Sequence, residues 1–151
     1  MIDPSYISGY ADGEGSFLIS FSPREKLLTG LEVRPSFSVS QRGNRSEVLS
    51  QMRAYFGCGE IRFNRYDQTK KYEVRSLKNL IEVVIPHFKN YQLLSSKNKD
   101  FVIFCKVCEM MKRKKHNTKA GLEKIIDLAL KMNKNGSRRY SKEFLLHRLK
   151  I

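Results

Sequence analysis

The sequence predicts an α+β fold of order αββαββα, a four-stranded antiparallel sheet backed by helices, with extra helices at the C-terminal end. Three observations predict it. Apolar spacing changes from helical to period two after Ser16, returns to helical at Val48 and changes again at Ile61. Each period-two stretch is double, with a turn between its halves, as hairpins are. From Leu77 onward the apolar residues recur mainly at helical spacing.

The first helix is expected over Asp3 to Gly13. Asp3 is a capping side chain, and Pro4 has the fixed φ and missing N–H that suit the first helical position. Ser5, Gly9 and Gly13 recur every four residues, so one face is nearly bare backbone that a similar face can approach closely. Asp12 and Glu14 follow at the end where unpaired carbonyls already carry negative charge. Two unit charges about 4 Å apart repel by about 4 kcal/mol at an effective dielectric of 20. A divalent cation removes that conflict, and Mg2+ accepts one or two carboxylates with waters and phosphate oxygens. On these residues alone, a turn at Asp12-Gly13 with Gly15 as C-cap and a solvated Glu14 stands equally.

Phe17, Ile19 and Phe21 then alternate with Leu18, Ser20, Ser22 and, past Pro23, Arg24. Gly30 marks the turn, and Val33, Pro35, Phe37 and Val39 alternate with Arg34, Ser36, Ser38 and Ser40. Gln41 to Arg45 reads as a polar break. Val48, Leu49, Met52, Tyr55 and Phe56 mark a helix ended by Gly57-Cys58-Gly59. The second hairpin sets Ile61 and Phe63 against Glu60, Arg62 and Asn64. Its loop is expected at Asp67-Gln68-Thr69, and its return strand sets Tyr72 and Val74 against Lys71, Glu73 and Arg75.

Leu77 to Val84 reads as a short helix closed before Pro86. Ser95 or Ser96 caps a long helix through Met111. Another helix runs from about Thr118 to Met132 with Leu122, Ile125, Ile126 and Ala129 inward; Asn135-Gly136 breaks it, and Ser141 caps a last turn or two holding Phe144, Leu145 and Leu149. A single domain over residues 1–151 is expected, with a core of about 3–112 and a helical extension of about 117–151.

Three cysteines are too few for a disulfide framework. Cys105 and Cys108 fall in an apolar run and read as buried thiols rather than zinc ligands. With no targeting segment and no long apolar span, an intracellular protein without a membrane partner is expected, in an organelle or a prokaryotic cytoplasm. The formal charge of +14 points to a polyanion. Residues 1–75 carry 11 basic and 9 acidic residues, net +2, and residues 76–151 carry 18 and 6, net +12. Nucleic acid fits better than a membrane surface, which requires a basic helix with a strong apolar face.

The stretch Ile7-Ser8-Gly9-Tyr10-Ala11-Asp12-Gly13-Glu14-Gly15 resembles the signature of the LAGLIDADG homing endonucleases, with Gly9, Asp12 and Gly15 identical to it. The element order over roughly the first 110 residues is also that of one unit of the family. The resemblance implies that two such helices pack together and that the last acid of each, here Glu14, binds the catalytic metal with the carbonyl of Gly13. Glu stands where the family's name has Asp. It also implies a structural Asp12, perched to cap the partner's helix end. Gln41 is implied to position water, Arg45 to contact phosphate, and Lys97, with Lys99 as runner-up, to act near the start of the long helix.

One copy of the motif implies a homodimer through Ser5, Ser8, Gly9 and Asp12, and two-fold symmetry implies a pseudo-palindromic site. A two-stranded ribbon fits the major groove, so the polar face is expected to touch DNA through Ser20, Ser22, Arg24, Arg34, Ser36, Ser38, Ser40, Arg62, Asn64, Lys71, Glu73 and Arg75. The function implied is metal-dependent double-strand cleavage at one long site, with Mg2+ or Mn2+ as cofactor and Ca2+ supporting binding without cleavage. A start at Met1 suits an intron product better than an intein. An intron RNA maturase and a non-cleaving DNA-binding regulator are the alternatives.

Overall fold

In the computed structural model, which describes residues 1–133 and 138–150, the first helix is α1, Pro4–Glu14. Asp3 caps it by accepting the Ser5 N–H at 2.7 Å. It stops where the Gly15 N–H donates to the Ala11 carbonyl. A Cβ at Gly15 would lie 2.7 Å from that oxygen, so only glycine lets the chain leave the helix directly into a strand.

That strand is β1, Gly15–Pro23, followed by β2, Leu31–Arg42, and a 3-10 turn over Gly43–Arg45. Next come α2, Glu47–Phe56, and the second hairpin, β3, Glu60–Asn64, with β4, Thr69–Val74. The four strands form one sheet in the order β1-β2-β4-β3. The expected break at Gln41 comes two residues later, because Gln41 and Arg42 still pair with Lys70 and Thr69. Thr69 belongs to β4 rather than to the loop.

Two expectations about packing are corrected. Ile61 and Phe63 were expected to form an oily face, but β3 is an edge strand and Phe63 is 50% exposed. The helix from Leu77 does not close before Pro86. It begins as α3, Leu77–Asn79, widens into a π turn over Leu80–Val84 and continues as α4, Ile85–Asn90. The Ile85 N–H reaches back to the Leu80 carbonyl. This wider turn relieves the clash of the proline ring with the preceding turn, and Pro86 falls at the start of α4, where its missing N–H matters least.

The chain then forms α5, Lys97–Lys112, a 3-10 turn over Lys115–Asn117, α6, Lys119–Ala129, and α7, Lys142–Arg148. Thr118 caps α6 and Ser141 caps α7. The break expected at Asn135-Gly136 lies outside the described residues.

By spatial proximity the chain divides into two compact units, one of residues 1–17 and 36–98 and the other of residues 18–35 and 99–151. In the first, Phe37 centres an aromatic cluster, with ring centroids 5.2 Å from Phe17 and Phe88 and 6.1 Å from Phe56. The second buries Ile19, Leu31, Val33, Phe104, Leu122, Ile125, Ile126 and Leu145. There Gly30 at φ +83° lies so close to Arg148 that a Cβ would come 2.5 Å from its carbonyl oxygen. Cys108 is buried in this unit, and its thiol is pushed up to about 12 by desolvation. Among the described residues, no helix is long and apolar enough to cross a membrane.

Candidate active site and nucleic-acid face

Because the backbone leaves α1 at once into β1, the last side chain of α1 is left exposed, and that side chain is Glu14. It lines an open hollow of about 890 Å³ with Gly9, Tyr10, Gly13, Gln41 and Arg45. Four residues expected to act together, Gly13, Glu14, Gln41 and Arg45, therefore share one surface. Gln41 pairs across the sheet with Lys70, a cation that sequence reading did not single out. Lys97 does not line the hollow. Its ammonium donates to the Ala11 carbonyl at 3.0 Å, at the negative end of α1.

Asp12 is corrected. Rather than capping a partner's helix, its carboxylate accepts the N–H groups of Leu94 and Ser95 at 2.8 and 3.0 Å, and the Ser95 hydroxyl, in its own chain. Partial burial opposes ionisation, but the hydrogen bonds from Ser95 and Leu94 outweigh it and hold the carboxyl below its ordinary value. The Ser95 hydroxyl in turn accepts the Lys97 N–H at 3.1 Å, so Asp12 fixes the entry to α5.

Ser8 is also corrected, from dimer surface to interior. It is 4% exposed, and its hydroxyl donates to the Tyr91 carbonyl at 2.5 Å. With that proton committed, Ser8 Oγ accepts from His87 Nε2 at 3.1 Å, and His87 Nδ1 accepts from the Tyr55 hydroxyl at 2.9 Å. Burial lowers the His87 pKa to about 4 and so favours the neutral imidazole, in which Nδ1 is left free to accept. Sequence reading missed His87. Its signal was the spacing, since His87 follows Leu80 and Val84 on the buried side of the helical run.

The polar side of the sheet is best defined where three strands are in register. Ser38, Glu73 and Glu60 form one cross-strand row, Ser40, Lys71 and Arg62 the next, and Arg42, Thr69 and Asn64 a third. Arg42 and Thr69 were not foreseen on this face and follow from continuing the alternation to the ends of the strands; Glu60 was placed on it but not among the DNA contacts. Arg75 is exposed just past β4. Ser36 is corrected: at 7% exposure it is buried and offers nothing to a ligand. In the other unit, Ser20 donates to the Arg34 carbonyl at 3.2 Å, and Glu32 pairs with Arg24 at 2.7 Å and Arg34 at 3.2 Å. Ser20, Ser22 and Arg34 border a separate cleft of about 340 Å³ in that unit.

Comparison with known proteins gives these features a family. Residues 7–108 match the model described as LAGLIDADG endonuclease. The chain is 38% identical over 120 residues to an uncharacterized 50.9 kDa protein in ND4 intron 1 of Podospora anserina, covering 78% of this chain and 26% of that one. Among solved structures it is similar to the homing endonuclease I-TnaI, with a TM-score of 0.86 at 33% identity, covering 97% of this chain and 95% of that one. I-SmaMI, solved bound to an uncleaved DNA target in the presence of calcium ions, gives a TM-score of 0.86 at 33% identity over 91% of this chain and 47% of that one. The fold is thus that of a homing-endonuclease unit, and the chain belongs to the LAGLIDADG endonuclease family. It spans only 26 to 40% of the length of the fungal intron-encoded relatives it matches.

Proposed function

We propose that the chain is a site-specific homing endonuclease that makes metal-dependent double-strand breaks in a long pseudo-palindromic DNA target. The observation that carries this reading is the exposed Glu14 at the end of a small-residue helix, on a hollow shared with Gln41 and Arg45. The match to an intron product supports expression from within an intron, in an organelle.

The donor set fits a divalent metal. Asp12 is engaged by backbone amides, whereas Glu14 is exposed, and nothing lies within 4 Å of where a Cβ would stand on Gly13. Among the described residues, no three His, Cys, Asp or Glu side chains gather into a metal-binding group. A single carboxylate suits Mg2+ or Mn2+, which fill their remaining positions with water and phosphate oxygens. Glu14 and the Gly13 carbonyl would hold the ion, and a bound ion supplies Lewis-acid polarisation of a phosphate and a more acidic water. Gln41 would orient a water through its amide, Arg45 would hold a neighbouring phosphate by its planar donors, and Lys97 would offset charge at the end of α1. Calcium in the I-SmaMI complex with uncleaved DNA supports Ca2+ as an ion for binding without cleavage.

One Glu14 serves one strand, so a double-strand break needs two. The exposed Ser5 and Gly9 and the open space above Gly9 and Gly13 support a second copy packed on α1. Purified protein with Mg2+ and a plasmid pool of candidate insertion sites is expected to give linear product with staggered ends at one sequence. Glu14→Gln should keep DNA binding and lower cleavage by at least about a hundredfold, the scale for losing an electrostatic group at the reacting phosphate. Full cleavage by that variant would overturn the role of Glu14. Binding without breaks would favour a regulator, and preferential binding of structured intron RNA a maturase.

A further inference from the structure

The acidic and basic side chains of the second hairpin are arranged in a way that stability alone would not select. Glu60 lies directly opposite Glu73, and Arg62 directly opposite Lys71. Like charges directly opposite each other destabilise a strand pair. Exchanging residues 60 and 62 would set unlike charges opposite in both rows with the same composition. The present order instead runs each ion pair along its own strand, Arg62 to Glu60 at 3.1 Å and Lys71 to Glu73 at 3.4 Å. Of the two pairs, Arg62–Glu60 is exposed on both sides and adds little stability. Their effect is to hold a row of acceptors beside a row of donors.

Glu73 is held firmly, its side chain only 15% exposed, yet it borders an open hollow of about 270 Å³ with Glu60, Arg62 and Arg75. On a face that meets DNA, phosphates repel the carboxylate row, so that row has to lie over base edges. In the major groove a carboxylate finds its donor in the N4 amino group of cytosine, and Arg or Lys finds acceptors in O6 and N7 of guanine. Rows two residues apart along a strand are about 6.8 Å apart, twice the roughly 3.4 Å base step. Both rows therefore reach bases within two steps of each other.

We propose that the Glu60–Glu73 row and the Arg62–Lys71 row are specificity-determining elements that read cytosine and guanine, respectively, within one short stretch of each half-site. The inference rests on the endonuclease reading above and adds the base identities. Ser38 and Ser40, which continue the two rows on β2, extend the contact without fixing a base.

The test is selection of bound duplexes from a random DNA library by the full chain in Ca2+, repeated with Glu60→Gln, Glu73→Gln and Arg62→Gln. The wild type is expected to enrich a conserved cytosine within two steps of a conserved guanine. Each glutamate variant should lower the preference for that cytosine about tenfold and admit adenine, which glutamine reads through N6 and N7, leaving other positions unchanged. Arg62→Gln should act on the guanine. A change spread evenly over all positions, with a new salt slope and no change in base preference, would overturn the inference by showing that the glutamates only tune the field. Failure of the wild type to enrich any sequence would instead overturn the endonuclease reading and this inference with it. Circular dichroism of the variants checks folding, which Glu60, 70% exposed, should not affect.

Discussion

His87 shows how one buried side chain orders its surroundings. Through Ser8 and Tyr55 it links α1, α4 and α2 by hydrogen bonds of 3.1 and 2.9 Å, and burial favours its neutral form. Ser8→Ala leaves both the imidazole N–H and the Tyr91 carbonyl without that partner, so urea unfolding should show a loss of about 1–3 kcal/mol. The imidazole also makes stability depend on pH. Its folded pKa, about 4, lies below its unfolded value, so the unfolded chain binds more protons between the two. Stability from this group is therefore complete above about pH 6.5 and declines as pH falls toward 4. Between pH 7 and pH 5 the loss should be about 2 kcal/mol. His116, whose pKa burial also lowers, acts in the same direction. The difference between wild type and His87→Gln, measured at both pH values, isolates the His87 part; equal pH dependence in the two would contradict it.

At the level of elements, two glycines at the start of the second hairpin separate backbone strain from crowding. Gly57 and Gly59 have φ of +69° and +89°. A Cβ at Gly57 meets nothing within 4 Å, whereas at Gly59 it would lie 2.7 Å from Tyr72 and 2.8 Å from the Glu73 carbonyl. Gly57→Ala should then cost about 1 kcal/mol and Gly59→Ala at least about 2 kcal/mol more, as thermal or denaturant unfolding will report. The sequence made the Gly57-Cys58-Gly59 stop legible, together with the α1 cap and the alternation that placed Phe37 and Tyr72 inward. Local rules failed where tertiary context prevailed. Proline's restriction predicts an end at Pro86, but the π turn accommodates the ring because Leu80, Val84 and Phe88 all gain burial on one continuous side. Alternation labels Phe63 as core, but alternation carries no information on strand order, and β3 lies at the edge. The hollow was legible as Glu14, Gln41 and Arg45. The inward turn of Ser8 and the capping of α5 by Asp12 were not, since both depend on partners about 80 residues away.

The whole molecule carries two opposing demands, which salt separates. At +14 per chain, two copies repel, and the repulsion between exposed charges weakens as the Debye length shrinks to about 10 Å at 0.1 M salt. DNA affinity should fall with salt, by about 10³ to 10⁵ from 50 to 200 mM if 6–10 phosphates are contacted, while the proposed self-association should hold or strengthen. Light scattering and DNA titration over the same salt series test both signs. The contact itself is best tested at Gly9. Because nothing lies within 4 Å of a Cβ there, Gly9→Glu should leave the protomer folded and, being in a helix interior, slightly favour the helix. Across a two-fold contact the same change sets bulk and like charge against its own symmetry mate. The variant should remain monomeric and lose double-strand cleavage while keeping the far-UV circular dichroism of the folded protomer, its melting no longer dependent on protein concentration. If it still dimerises and cuts, α1 is not the surface on which two copies meet.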